Sequence, residues 1–279
     1  MHAGAAWWEE TGGGGRGAVS IHPTAIVAEG AVVPASCTVG PYCTIGEHVV
    51  LGEECELVSH VIVDGHTTLG KGNRIFSFAC VGIAPQDLKY AGEPTRVEIG
   101  DGNTIREYVT ISRGTKGGGG VTRMGSDCLL MAYVHVGHDS VIGDGCILAN
   151  AATLAGHVVV EDFAVVGALC PVHQFCRIGR YSYIGGATTI TQDVLPYSLT
   201  SVERNNHAYG LNKVGLQRRG FTAEELRELA TAMRVLVSGK RNTTQALAVI
   251  HDMLSQGAGG EHVKYLAEFV AASERGVIK

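Results

Sequence analysis

Aliphatic residues at every sixth position, two short lapses in that beat, and a closing stretch with apolar residues at helical spacing predict a β-solenoid followed by a small α-helical C-terminal domain. The beat opens with eleven consecutive members: Ile21, Val27, Val33, Val39, Ile45, Leu51, Leu57, Val63, Leu69, Ile75 and Val81. A period of six matches neither a helix nor a flat strand. It matches short strands joined by turns, one hexapeptide to each face of a parallel β-helix. Three hexads close one triangular coil, so residues 18 apart stack in columns, with parallel strands about 4.8 Å apart.

Taken in order, residues 1–20 read as a flexible extension. They hold a Gly12–Gly15 run and lack the basic start and continuous apolar core of a signal peptide. The solenoid spans 21–196. Its beat lapses in APQDLKYAGEPTRV (84–97) and returns at Ile99, Ile105 and Ile111. It lapses again in SRGTKGGGGVTR (112–123), shifted by one residue, and resumes at Met124 and Leu130. It then runs unbroken through Val136, Ile142, Leu148, Leu154, Val160, Val166 and Val172 to Ile178, Ile184 and Ile190, with Pro196 in the next slot. Glycine often follows the aliphatic, as at Gly40, Gly46, Gly52, Gly70 and Gly82, where a tight corner calls for a permissive backbone. Seven of the eight cysteines lie four residues after an aliphatic, in a slot otherwise held by alanine or serine. They read as small buried hydrophobes rather than as a disulfide framework or a zinc site. Residues 197–279 form a connector and a helical domain. Thr222 and Glu225 make a capping box, and 226–239, 243–256 and 261–274 carry helical periodicity.

Composition excludes several classes. A net charge of −5 provides no global field for nucleic acid. No apolar run approaches the ~20 residues of a membrane span, so no stable membrane insertion is expected and the expected location is cytoplasmic.

The chemistry concentrates in VHVGHDSVIGDGCILANAATLAGHVVVEDFAVVGALCPVHQ (134–174). Column arithmetic places His138, Gly156 and Gln174 above one another, with Asp139 and His157 in the next column, His173 beside Gln174, and His135 three residues before His138. The histidines fall between the inward positions and therefore point outward. A neutral imidazole removes a hydroxyl proton near pH 7, which contributes roughly 10²–10⁴ in rate. Asp139 would orient that imidazole, and an unshielded Gly156 N–H could face an oxyanion. Base and oxyanion donor together suffice for direct acyl transfer to an alcohol. A lone surface histidine is usually only solvated; four on one face beside glycines favour a functional cluster. The rival use is a metal on His135, His138 and a third histidine across a subunit boundary, as in a zinc lyase of the carbonic anhydrase type. A non-catalytic scaffold is the third reading.

QDLKYAGEPTRVEIGD (86–101), HVGHD (135–139), LANAATLAGHV (148–158), VHQFCRIG (172–179) and GLQRRGF (215–221) together resemble the UDP-N-acetylglucosamine 3-O-acyltransferase family of hexapeptide-repeat acyltransferases. The likeness runs from about residue 21 to RGVIK (275–279) and includes the interrupting loop. It implies a left-handed winding and a homotrimer with active sites between subunits. It also implies transfer of a 3-hydroxyacyl chain from acyl carrier protein to UDP-N-acetylglucosamine, the first step of lipid A biosynthesis, with no metal and no cofactor beyond the carrier's own phosphopantetheine. By motif, His138 is the implied base, Asp139 its support and Gly156 the oxyanion donor. Asp87, Lys89, His135, His157, His173 and Gln174 match positions that hold sugar nucleotide or acyl-pantetheine. Asn212, Arg218 and Arg219 match the nucleotide end, where guanidinium suits phosphate. Gly186 matches the position that limits acyl length, and glycine there leaves room for a longer chain. Carrier protein is expected on basic surface near the helical domain. An N-acylating relative carries a further N-terminal uridine-binding domain, for which 1–20 is too short. Ile83, Ala84 and Pro85 precede QDLK where polar residues are expected, which leaves a 3-amino sugar open as acceptor.

Overall fold

A computed structural model describes residues 20–203, 205–239 and 241–279. The expected extension thus lies outside the described residues up to residue 19. From Ser20 onward the chain winds as a three-faced prism, each face a stack of short parallel strands. Face 1 holds Leu129–Leu130, Ile147–Leu148, Val165–Val166 and Tyr183–Ile184. Face 2 holds His135–Val136, Thr153–Leu154 and Pro171–Val172, and face 3 holds Val141–Ile142, Val159–Val160 and Arg177–Ile178. Register bears out the column arithmetic: His135 pairs with Thr153 and Thr153 with Pro171, an advance of 18 residues per coil.

Each strand presents one residue outward and its aliphatic inward. Val136, Ile142, Leu148, Leu154, Val160, Val166 and Val172 are all buried. The small slot is interior as well: all cysteines but Cys80 are buried. Desolvation pushes most of these thiols up, Cys170 and Cys176 among them, which keeps them protonated and inert. Burying an aliphatic side chain contributes about 1.5–3 kcal/mol, repeated coil after coil.

Two expectations need correction. The glycine after the aliphatic is not there for backbone freedom at most corners. A Cβ on Gly40 would meet the Val58 carbonyl oxygen at 1.7 Å, so close approach of the next coil excludes a side chain. The left-handed turn is taken two residues later, mostly by other residue types, as at Tyr42 (φ 58), Asp139 (φ 59) and His157 (φ 62). Pro196 does not take the next inward slot. Val194 bridges Ile178, and Leu199 pairs with Tyr183, so the last coil is two residues short. Strand Ser198–Glu203 adds to face 1 beyond Pro196, then pairs antiparallel with Asn205–Leu211.

Four helices follow: α1 (Lys213–Arg218), α2 (Ala223–Val237), α3 (Thr243–Ser255) and α4 (Glu261–Ala271). The Thr222–Glu225 capping box opens α2. Leu226, Leu229, Met233, Leu236, Ile250, Val263 and Leu266 form a second core with Leu195 and Tyr197. The C-terminus returns to the prism: Ile278 N–H donates to Asp193 O (2.9 Å), and the Ile278 side chain closes the first core. No helix among the described residues is long and apolar enough to cross a membrane.

Candidate active site

Both lapses in the beat emerge at the edge between faces 2 and 3, because each falls between a face 2 strand and the face 3 strand that follows it. The first loop leaves Cys80–Ile83 and enters Arg96–Ile99; the second leaves Thr110–Ser112 and enters Val121–Met124. Stacked on the same edge come His138/Asp139, then Gly156/His157, then Gln174. The loops and this column enclose a cleft of about 720 Å³ lined by Asp87, Lys89, Tyr90, Glu93, Thr115, Lys116, Gly117, Gly118, His157 and Phe175. Arg113 braces the loops: Nε donates to Tyr90 Oη (2.9 Å) and Nη1 to Gly82 O (3.0 Å).

At the cleft's edge His138 Nδ1 lies 2.9 Å from Asp139 Oδ2. The Asp139 side chain is fully buried, and the His138 side chain is one-fifth exposed. Thr115 N–H donates to both Asp139 oxygens (3.0 Å each), and Thr115 Oγ1 to Oδ2 (2.6 Å). A carboxylate served by donors only accepts, so the His138 proton sits on Nδ1 and the Nε2 lone pair is free. That ring lies flat against Gly156: a Cβ built there would stand 2.6 Å from His138 Cε1 and Nε2. The His157 N–H donates to the His138 carbonyl (2.9 Å), while the Gly156 N–H has no acceptor among the described residues. His157 packs edge-on to His138 (centroids 5.1 Å) and stacks on Phe175 (4.6 Å).

The remaining expected residues divide. His135 shares the outer surface of face 2, with Nδ1 2.7 Å from Thr110 Oγ1. Burial, then the His138 charge, hold its ring below the ordinary histidine value. His173 and Gln174 sit one coil beyond Gly156, exposed, with His173 Nδ1 donating to Gln174 O (3.0 Å). Asp87 accepts from the Lys89 N–H (2.9 Å) and so shapes the loop, and no Asp87–Lys89 ion pair forms. Asn212, Arg218 and Arg219 do not join this cluster in one chain. They line a separate groove of about 620 Å³ with Phe163, Tyr181, Tyr183 and Leu199. This groove lies along face 1 and the edge between faces 3 and 1. The Arg219 guanidinium packs over the Phe163 ring (4.2 Å). The Asn212 amide is engaged, capping α1 through Gly215 N–H and donating to Tyr181 O. Gly186 is exposed on the third edge, between faces 1 and 2. A Cβ there would meet Ala168 O at 3.3 Å, a slight crowding that a corner can accommodate.

Thr115, Thr110 and Phe175 escaped the sequence reading. Phe175 follows His157 by 18 residues and was reachable by column counting; Thr115 lies inside a lapse, where no period operates. His138, Asp139 and His157 could in principle hold a metal, their donor atoms lying within 4.8 Å of one another. A cation on Oδ2 would compete with the Thr115 hydroxyl and the His138 ring, and one on Oδ1 with the Thr115 N–H.

Comparison with known proteins agrees with the geometry. The chain is 38% identical to a UDP-N-acetylglucosamine acyltransferase of Francisella novicida over 92% of this chain and 93% of that one, TM-score 0.89. It is 39% identical to LpxA of Acinetobacter baumannii (93% and 99% covered, TM-score 0.88). This chain belongs to the UDP-N-acetylglucosamine acyltransferase family. The Moraxella catarrhalis UDP-N-acetylglucosamine O-acyltransferase is similar to the same degree, at 40% identity, 93% and 99% coverage and TM-score 0.88. Residues 193–278 match the family model described as UDP-N-acetylglucosamine O-acyltransferase, domain 2, and 122–156 match the bacterial transferase hexapeptide repeat. The prism is the left-handed β-helix of UDP-N-acetylglucosamine acyltransferases. Neither a zinc lyase nor a 3-amino acceptor is favoured by these relatives.

Proposed function

We propose that this chain moves a 3-hydroxyacyl group from the thioester of acyl carrier protein to the glucosamine 3-hydroxyl of UDP-N-acetylglucosamine, the first step of lipid A biosynthesis. One observation carries the mechanism: a histidine with its proton fixed on Nδ1 rests its ring against a glycine whose own N–H is free. His138 Nε2 takes the hydroxyl proton as the sugar oxygen attacks the thioester carbonyl carbon. Asp139 stabilises the imidazolium that forms, and the Gly156 N–H faces the developing oxyanion. The C–S bond then breaks, and the proton on Nε2 passes to the departing thiolate. No separate cofactor or metal enters this reading, since the acyl group arrives on the carrier's phosphopantetheine.

The sugar nucleotide fits the cleft between Asp87, Lys89, His157 and the His173–Gln174 turn, with His135 beside it. Arg218, Arg219 and Asn212 serve the nucleotide from a second copy, because in one chain they occupy a different edge. The outer surface of face 2 supports a homotrimer. Its outward residues Ile26, Thr44, Ile62, Cys80, Thr110, His135, Thr153 and Pro171 include no Asp, Glu, Lys or Arg. Along the adjoining edge runs an exposed ladder of Tyr42, His60, Phe78, Tyr108 and Tyr133, ring to ring at 4.9–5.0 Å. Large uncharged exposed surface of this kind marks an interface. Lys213 and Arg227, beside the groove between α1 and α2, supply basic surface for the carrier. Gly186 leaves space for a long acyl chain.

The test is direct. Purified protein converts UDP-N-acetylglucosamine and 3-hydroxyacyl carrier protein to acylated sugar nucleotide, and His138→Ala lowers kcat by roughly 10²–10⁴ while calorimetry still detects UDP-N-acetylglucosamine binding. Undiminished turnover in that variant rejects the mechanism.

A further inference from the structure

The glycine-rich loop between faces 2 and 3 has a role beyond walling the cleft. We propose that Thr115 is a positioning residue for the reaction: its N–H and hydroxyl lock the buried Asp139 carboxylate so that one lone pair of Oδ2 is aimed at His138 Nδ1. The inference rests on the acyl-transfer reading above and adds to it a residue that no motif marks.

Three contacts converge on a carboxylate with no solvent exposure. Thr115 N–H reaches both oxygens at 3.0 Å, and Thr115 Oγ1 reaches Oδ2 at 2.6 Å. A fourth holds the backbone beneath it, as the Asp139 N–H donates to Thr122 Oγ1 (2.9 Å). Both threonines come from the strand–loop–strand segment one coil away, so the loop and the catalytic edge fix each other. Buried charges persist only where hydrogen bonds replace water. Here the loop supplies most of those bonds, and His138 supplies the last.

The glycines follow from the same arrangement. A Cβ on Gly118 would lie 2.1 Å from Asp139 Cγ and Oδ2, and one on Gly114 would lie 2.8 Å from Oδ1 and 2.1 Å from the Val121 nitrogen. The loop backbone therefore lies directly against the carboxylate, and side chains at those positions would push it off. That is a physical reason for a run of small residues where the repeat breaks.

Charged and titratable neighbours are few and can be named. His157 Nε2 stands 4.0 Å from Asp139 Oδ2, and His135 feels the His138 charge. Asp87, Lys89, Glu93 and Lys116 line the same cleft. None of these replaces the Thr115 hydroxyl on Oδ2.

The experiment compares Thr115→Val, Thr115→Ala and Thr115→Ser in the full chain. Valine keeps the shape and removes the hydroxyl; alanine removes it without adding a methyl group and serves if the valine variant does not fold. Without the hydroxyl, Oδ2 keeps only the residue-115 N–H and the His138 ring as donors, and the less compensated Asp139 charge favours the protonated ring. Val and Ala are expected to lower kcat about tenfold with KM within about twofold, and to move the acid limb of the kcat/KM profile to higher pH. Ser is expected to restore wild-type values. In substrate-free protein, the pH at which His138 becomes half-reactive toward diethyl pyrocarbonate, read by peptide mass spectrometry, moves the same way. This readout does not depend on the substrate, so a wild-type protein that failed to transfer acyl groups would reject the functional reading and still leave Thr115 tested. Wild-type kcat in both Val and Ala overturns the proposal. So does a loss of kcat that tracks a lowered melting temperature with both pH profiles unmoved, because that pattern is purely structural.

Discussion

Gly156→Ala isolates the geometry on which the chemistry depends. The new methyl carbon would stand 2.6 Å from His138 Cε1 and Nε2, so the ring has to withdraw by about 0.8 Å to regain the 3.4 Å of ordinary contact. The ring cannot withdraw freely, because Asp139 holds Nδ1 at 2.9 Å and Thr115 holds Asp139. Either the Nδ1 hydrogen bond breaks or Nε2 swings away from the cleft. A displacement of about 1 Å in a catalytic group costs on the order of 10² in rate. Folding has little to lose, since Gly156 lies at a half-exposed corner and needs no left-handed backbone. The expected result is a kcat about 10²-fold below wild type, with UDP-N-acetylglucosamine binding by calorimetry and the thermal midpoint both nearly unchanged. Steady-state transfer from 3-hydroxyacyl carrier protein measures it. A variant within threefold of wild type would show that the ring does not work from its place against Gly156, and the mechanism would fall with it.

Two further outcomes follow from the placement of residues. Arg218 and Arg219 share no edge with His138, so on the proposed subunit-shared site, co-expressing His138→Ala subunits with Arg218→Ala/Arg219→Ala subunits should rebuild intact sites in mixed assemblies, to roughly a quarter of wild-type turnover; no recovery in verified mixed assemblies would place the whole site within one chain. His135 is depressed below its ordinary value of 6.5, by burial first and the His138 charge second. The unfolded chain therefore takes up this proton before the folded one does, and stability present above 6.5 declines as pH falls below it. His135→Gln should flatten that decline in urea midpoints measured against pH, and a wild-type slope would sink the assignment.

Much of the site was legible because a strict period is also a coordinate system. Counting by 18 places Gly156 beside His138 and would have found Phe175 over His157. The counting misled where the period itself changed. The last coil shortens by two residues, so Val194 rather than Pro196 faces inward beside Ile178. The glycines were correctly tied to the corners, but the cause is the carbonyl of the next coil pressing on them, visible only when coils are stacked. Asn212 reads as a nucleotide residue by motif, and its structural duty, capping α1 and binding Tyr181 O, became visible only in the fold.

The amino-acid sequence by itself determined the winding, the inward and outward assignment of residues along it, and the column that unites His138 with Gly156. These depend on burial of one aliphatic in six, a pattern each coil repeats without reference to distant parts of the chain. Only the tertiary structure decided that both interruptions open on the histidine edge, that the glycine-rich one folds down to hold Asp139, and that the two arginines lie around the corner from the base. An inserted loop has no period to follow. Its path is chosen by which buried polar groups need partners, and the carboxylate of Asp139 is such a group.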